Sequence, residues 1–432
     1  MTDHGAQVRQ GQGGRSRRRQ RNHDDAVLDL PARTTVPEHP LIPAVEPELI
    51  VTDEALADLL AHIYEKGVVA YDTEFIGELS YYPRFCVIQL ATTDRLAVVD
   101  AMVDVDLTPV WRLLADASVC KIVHAGSQDL EPVVRFLDEP PANILDTQIA
   151  AGFCRLPYPV ALSKLVSDLL DVKLGKGLTF TSWDERPLSA AHLHYAADDV
   201  RYLPALHAAL LEKLETAGHL DWAKQECETL CEKSAYQFDP QVQTQRVRGS
   251  GGLTARQRAI LVELVAWRDQ GARDHDLPPR TFLKDEVLVE LSRKPVKKLD
   301  QLDRVRGLPR PVIAGSGRQI IEATQRGREQ ELPKEAAPKH EALSDERPRD
   351  RFAVDSLWSA VQGYCQGQGV DPSLVANRRD IGRVYQSGSI VGTRMAESWR
   401  AELLGAWVDA FFKGAQPLHL RWAESDLRSN VG

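Results

Sequence analysis

Between residues 47 and 232, short apolar runs alternate with amphipathic stretches, a rhythm that predicts one α/β domain. Strands are expected at Val68 to Phe75, Arg84 to Ala91, Leu96 to Asp100 and Lys121 to His124. Tyr82 and Pro83 separate the first two, and Thr92, Thr93 and Asp94 form a short turn before the third. These three strands therefore read as an antiparallel meander. A helix over Leu107 to Leu114 precedes the fourth strand, which would join the sheet in parallel.

Farther along, residues 253–330 show helical periodicity in ARQRAILVELVAWRD, DEVLVELSRK and GRQIIEATQRG, broken by Pro-containing turns. That pattern predicts a small helical bundle. A second helical unit is expected over 352–420, from VDSLWSAVQGYCQ and ESWRAELLGAWVDAFF, and is a candidate diverged copy of the first. Residues 1–46 have little hydrophobic period and carry Arg15, Arg17, Arg18, Arg19 and Arg21, so they read as an unpacked basic tail. The polar stretch 237–252, ending Gly-Ser-Gly-Gly, and the charged, Pro-containing stretch 328–350 read as linkers.

Composition narrows the function classes. With 432 residues, 43% hydrophobic and 27% charged, the chain suits a multi-domain globular protein. A net charge of −9 argues against coating nucleic acid through global positive charge, but not against a local basic track. Six cysteines include no CxxC pair, which favours buried free thiols in a reducing compartment over a zinc site. No run of eighteen apolar residues occurs, so the expected location is cytoplasmic, with no membrane partner and no obligatory protein partner implied.

The chemistry concentrates in three places. In VVAYDTEFIGE, Asp72 and Glu74 stand two apart on an apolar strand, so both carboxylates project from one face. Carboxylates at the end of a buried strand are costly unless a cation or a donor meets them. KIVHAGSQDLEPVVRF reads as strand, Gly-Ser turn and helix, with Ser127 as the N-cap and Asp129 in the first turn. LHYAADDVRYLPAL reads as a helix on which Tyr195 and Asp199 are neighbours, while Asp198 points elsewhere. His124, at a strand end, reads as a packing residue.

Taken together, D-T-E-F, H-A-G-S-x-D-L and Y-A-A-x-D-V resemble the three exonuclease motifs of the ribonuclease D family, in the DEDD subgroup with tyrosine in the third motif. YYPRFCVIQLAT, ILDTQIAAGFC and WDERPLS resemble the same family. The resemblance implies a ribonuclease H-like domain with a mixed sheet that trims RNA 3′ ends, tRNA precursors among them, and releases 5′-mononucleotides. It further implies two divalent cations, Mg²⁺ or Mn²⁺. Asp72 would bridge both, Glu74 and Asp199 would complete one shell, Asp129 would hold the other, and Tyr195 would orient water. Hard oxygen ligands suit such ions.

Lys176 and Arg186 are candidate RNA contacts, and Trp183 reads equally as core. Residues 253–327 resemble the helicase-and-RNase-D C-terminal (HRDC) domain. There Arg293, Lys294, Lys297, Lys298, Arg304, Arg306 and Arg310 cluster, with Lys297 and Lys298 the preferred phosphate contacts. Two rival readings stay open. The same site would cleave DNA, since the residues do not spell out a 2′-hydroxyl contact. A noncatalytic RNA-binding protein would be favoured by loss of a carboxylate, and none is lost.

Overall fold

Alternation along the strand Val68–Ile76 sends Ala70, Asp72 and Glu74 to one face and Val69, Tyr71 and Thr73 to the other, and each face meets its own core. The computed structural model describes residues 36–175, 182–331, 348–415, 419–423 and 426–430. Among them, six strands form one sheet: β1 (Glu48–Ile50), β2 (Val68–Ile76), β3 (Arg84–Ala91), β4 (Leu96–Asp100), β5 (Cys120–Val123) and β6 (Ile144–Asp146). Their order is β1-β4-β3-β2-β5-β6, so β2 lies inside the sheet.

The meander is antiparallel, with Asp72 opposite Gln89 and Glu74 opposite Val87, and a bulge follows Glu74. β5 runs parallel to β2, and β1 and β6 pair in parallel with β4 and β5. Strands β1 and β6 are three residues each, too short to show a period, and sequence reading missed both.

One face of the sheet packs on the helix Asp53–Lys66 through Leu56, Leu59, Leu60 and Ile63, and on Thr108–Ala115 through Val110, Trp111, Leu113 and Leu114. The other packs on Ala190–Arg201 through Ala196, Ala197 and Val200. This second core also takes in helices from the end of the chain. Trp399 lies edge-on to Phe153 at 4.7 Å and beside Trp222 at 6.1 Å, and its indole donates to Glu226 at 2.9 Å. Arg400 donates to the same carboxylate at 2.6 Å, and Asp371 accepts from the Tyr158 backbone at 3.1 Å. The C-terminal helical unit is thus packed into the core beneath the second face of the sheet. Its first helix begins at Pro348, inside the stretch read as a linker.

The central helical unit has a separate core, in which Leu261, Leu264, Val265, Leu288, Leu291 and Ile320 join the helices Ala255–Asp274, Asp285–Arg293 and Arg310–Glu329. Thr254 and Gln257 close a capping box at its start, and the buried Arg268–Asp285 pair at 2.7 Å ties two helices. The unit also grips the loop after β2. The Tyr81 hydroxyl donates to Asp269 at 2.7 Å, its backbone N–H donates to Asp276 at 3.0 Å, and Arg273 donates back to the hydroxyl at 3.0 Å.

Two further expectations are corrected. Within the segment read as linker, Pro240–Arg246 forms a helix capped by Asp239, Thr244 is buried, and Val247 enters the central core. Asp239 and Pro240 supply a helix start that outweighs the local polarity. The tail reading fails from about Leu41 onward: Ile42 is buried in the core, and Arg201 donates to the carbonyls of Pro43 and Val45 at 2.6 and 3.1 Å. Residues 1–35, with the five tail arginines, lie outside the described residues.

Gly327 lets two helices of the central unit cross closely, since a Cβ there would meet the Ala259 carbonyl oxygen at 2.7 Å and the Ile260 backbone. Backbone cannot rotate aside as a side chain can. Gly327→Ala is expected to lower stability by about 2 kcal/mol, read as an earlier urea midpoint; an unchanged midpoint would contradict the packing.

Candidate active site

Asp72 and Glu74 reach the site because β2 presents both on the face that the helix Ala190–Arg201 covers. That helix brings Tyr195 and Asp199 opposite them on a single stripe, while Asp198 turns away to pair with Arg201 at 2.9 Å. Asp129 comes from the turn after β5 and is buried. Asp72, Glu74 and Asp199 are half-buried, which leaves one side of the group toward solvent.

The turn carrying Asp129 is fixed from below. Asp146, at the end of β6, accepts from the backbone N–H groups of Ala125 and Gly126, both at 3.1 Å. Gly126 is required there, because a Cβ would stand 2.7 Å from the Val123 side chain. Tyr71, on the opposite face of β2, donates to the Asp129 carbonyl at 2.8 Å, and the Thr73 hydroxyl makes a short hydrogen bond to the Asp129 carboxylate. Asp72 accepts from the Thr73 N–H at 2.9 Å. The expected Ser127 cap is not formed. The helix starts at Glu131 behind Leu130, where Pro132 needs no backbone partner for its missing N–H.

Electrostatics agree with a cluster. Burial, followed by the charges of Asp129 and Asp199, pushes the Asp72 carboxyl well above the usual range. Burial and the Glu74 and Asp198 charges do the same to Asp199. Glu74 rises to about 7 through burial and Asp129, offset in part by a hydrogen bond from Trp183. Burial also raises Asp129, against the Thr73 hydrogen bond. Burial and the surrounding carboxylates push Tyr195 upward too, so it enters the site as a neutral hydroxyl.

Buried carboxylates that repel one another and supply only oxygen donors fit hard divalent cations, which would reverse the electrostatic cost. Among the described residues, no three His, Cys, Asp or Glu groups already close into a metal cage. The fit therefore rests on donor chemistry and proximity.

Other candidates sort differently. Arg186 gives two hydrogen bonds to Asp100 at 2.7 Å and three to the carbonyls of Trp183, Glu185 and Cys86. All five guanidinium donors are thereby used, so Arg186 is a clamp within the fold rather than an RNA contact. Trp183 is buried, its ring 6.0 Å from that of Tyr195, so it belongs to the core rather than to an open RNA surface. His124 donates through Nε2 to the Val160 carbonyl at 3.0 Å and lies 2.9 Å from the Thr147 hydroxyl. Lys297 and Lys298 are exposed on the central unit, which has a core separate from that of the carboxylate-bearing strand and helix. Lys176 lies outside the described residues. Tyr71, Thr73 and Asp146 were missed as functional residues; their only signal was their presence inside the Y-D-T-E and I-L-D-T spellings.

All six cysteines are free thiols. Among the described residues, no helix is long and apolar enough to cross a membrane.

Residues 47–215 match the 3'-5' exonuclease family, and residues 257–324 match the HRDC domain. Ribonuclease D of Gluconacetobacter diazotrophicus is 34% identical over 363 residues, covering 83% of this chain and 91% of that protein. Ribonuclease D of Escherichia coli is 31% identical over 337 residues, covering 78% and 89%. The crystal structure of Escherichia coli RNase D, described as an exoribonuclease involved in structured RNA processing, superposes with a TM-score of 0.71 at 29% identity over 86% of this chain and 99% of that one. With the motifs in order, the mixed sheet and these relatives, the chain belongs to the ribonuclease D family of 3′→5′ exoribonucleases, hydrolases in which an exonuclease domain precedes an HRDC domain.

Proposed function

We propose that this chain removes nucleotides one at a time from the 3′ ends of structured RNA, tRNA precursors among them, at a site where Asp72, Glu74, Asp129 and Asp199 hold two divalent cations, Mg²⁺ or Mn²⁺. The observation that carries this reading is the meeting of four carboxylates from three separate elements, each raised first by burial and, except for Asp129, next by the charge of another member of the group. A structural role would not concentrate that much repulsion at one place.

Within this reading, Asp72, Glu74, Asp199 and Asp129, the last braced by Thr73 and Tyr71, would hold the cations, with Asp72 their shared ligand. When bound there, such cations make a water more acidic and screen the phosphate's charge. Tyr195, kept neutral, orients the attacking water through its hydroxyl, and the buried Trp183 packs beside its ring. The water oxygen bonds to phosphorus as the bond to the 3′-oxygen breaks. A 5′-mononucleotide leaves, and the shortened RNA keeps a 3′-hydroxyl. The exposed basic face around Lys297 and Lys298 suits phosphates farther along the RNA.

Incubating purified protein with Mn²⁺ and RNA labelled at its 5′ end is expected to give a ladder of shortened products that chelator abolishes. RNA that stays intact yet shifts on a gel would leave only a binding protein, and strong preference for a matched DNA would replace the substrate.

Asp72→Asn is expected to lower the rate about a thousandfold or more, because a shared ligand is worth several kcal/mol. The unliganded variant should melt no lower than the parent, since a repelled charge is removed at constant volume. Residual turnover near the parent rate would contradict the ligand assignment.

Tyr195→Phe is expected to slow turnover by roughly ten- to a hundredfold, at or below the low end for proton-handling groups. Calorimetry should find Mn²⁺ affinity unchanged; a large loss of affinity would make Tyr195 part of the metal shell.

A further inference from the structure

Gln89 stands on β3 directly opposite Asp72, and the pairs on either side are Ala70 with Ala91 and Glu74 with Val87. Residues opposite one another in an antiparallel pair point to the same face, their Cβ atoms roughly 4.5 to 5.5 Å apart. The Gln89 side chain therefore lies beside Asp72 on the face that the helix Ala190–Arg201 covers, together with Val87, Ala91 and Val98. Gln89 is fully buried, and among the described residues neither its Oε1 nor its Nε2 has a hydrogen-bond partner. A buried amide left that way costs free energy, and an apolar side chain would fill the place without that cost.

We propose that Gln89 is a positioning residue for Asp72: its amide N–H donates to the Asp72 carboxylate and fixes the plane in which that carboxylate meets the divalent cations. An ionised carboxylate offers about four acceptor sites. The Thr73 N–H takes one at 2.9 Å. The Gln89 amide takes a second from the neighbouring strand, and two remain, one for each cation. The inference rests on the two-cation reading of the carboxylate cluster.

An amide suits this place better than a basic side chain would. Lys or Arg beside Asp72 would neutralise the ligand and compete with the metal, whereas a neutral donor orients the carboxylate and leaves its charge for the cations. The other neighbours of Gln89 on that face, Val87 and Ala91 along its own strand and Val98 on β4, offer no polar side chain, so Asp72 is the acceptor within reach. Thr73 and Tyr71 brace Asp129 from the reverse face of β2. Gln89 gives Asp72 the corresponding support from the next strand.

The test uses the full chain, with Mn²⁺ as the probe in calorimetry and a urea midpoint read without metal. Gln89→Met keeps the length of the side chain and removes both polar atoms. It is expected to bind Mn²⁺ about ten- to a hundredfold more weakly, the usual cost of losing a partner behind a metal ligand, with a urea midpoint equal to or above the parent's. Gln89→Leu, of different shape, should repeat that result. Val98→Ala, at the residue paired with Gln89 across β4, should do the reverse, with an earlier midpoint and parent-like Mn²⁺ affinity. Parent-like Mn²⁺ affinity in both Gln89→Met and Gln89→Leu would overturn the proposal, as would an equal loss of affinity in Val98→Ala, which would mark the effect as one of packing. If the parent itself bound no Mn²⁺, the two-cation reading would fall and this inference with it.

Discussion

Mutual repulsion among Asp72, Glu74, Asp129 and Asp199 is the constraint around which the rest of this molecule is arranged. Like charges in a partly dry place drift apart unless the backbone behind them is stiff. Stiffness comes from putting β2 inside the sheet, with β3 and β5 bonded to its two edges. Tyr71 and Thr73, on the reverse face of the strand that carries two of the carboxylates, hold the third. A single strand therefore sets the spacing of three acidic groups, and the helix Ala190–Arg201 delivers the fourth by packing its small residues, Ala196 and Ala197, against the sheet.

The supporting residues divide labour by burial. Arg186 has every donor engaged and serves to join β4, β3 and the segment before the Tyr195 helix. Asp146 spends its oxygens on the turn that presents Asp129. Both side chains are committed to the fold, yet loosening either would shift an element that carries one of the clustered groups. Exposed basic residues, by contrast, collect on the HRDC domain, Lys297 and Lys298 among them.

Much of this was legible beforehand, for physical reasons. The meander and the parallel fourth strand follow from period and turn chemistry, and Asp72, Glu74, Tyr195 and Asp199 follow from spacing within elements. What spacing cannot convey is who meets whom. Arg186 looks like any exposed arginine until Asp100 is brought to it by the sheet. Thr73 looks like filler between two acids until Asp129 arrives from another strand. Ser127 has the right chemistry for a cap, but Pro132 shifts the helix start. The stretch 237–252 reads as a linker because Gly and polar residues dominate it, while Asp239, Pro240 and Val247 tie it into the central core.

Trp399 and Arg400 come from the last helix of the chain, yet they seal a core whose other half, Phe153, Trp222 and Glu226, belongs to the exonuclease region. The HRDC core sits between these two parts in sequence and shares neither. The exonuclease body is therefore discontinuous along the chain. Without the helix that carries Trp399 and Arg400, the apolar faces of Phe153 and Trp222 would be left bare, so the exonuclease core depends on residues that follow the HRDC domain in sequence.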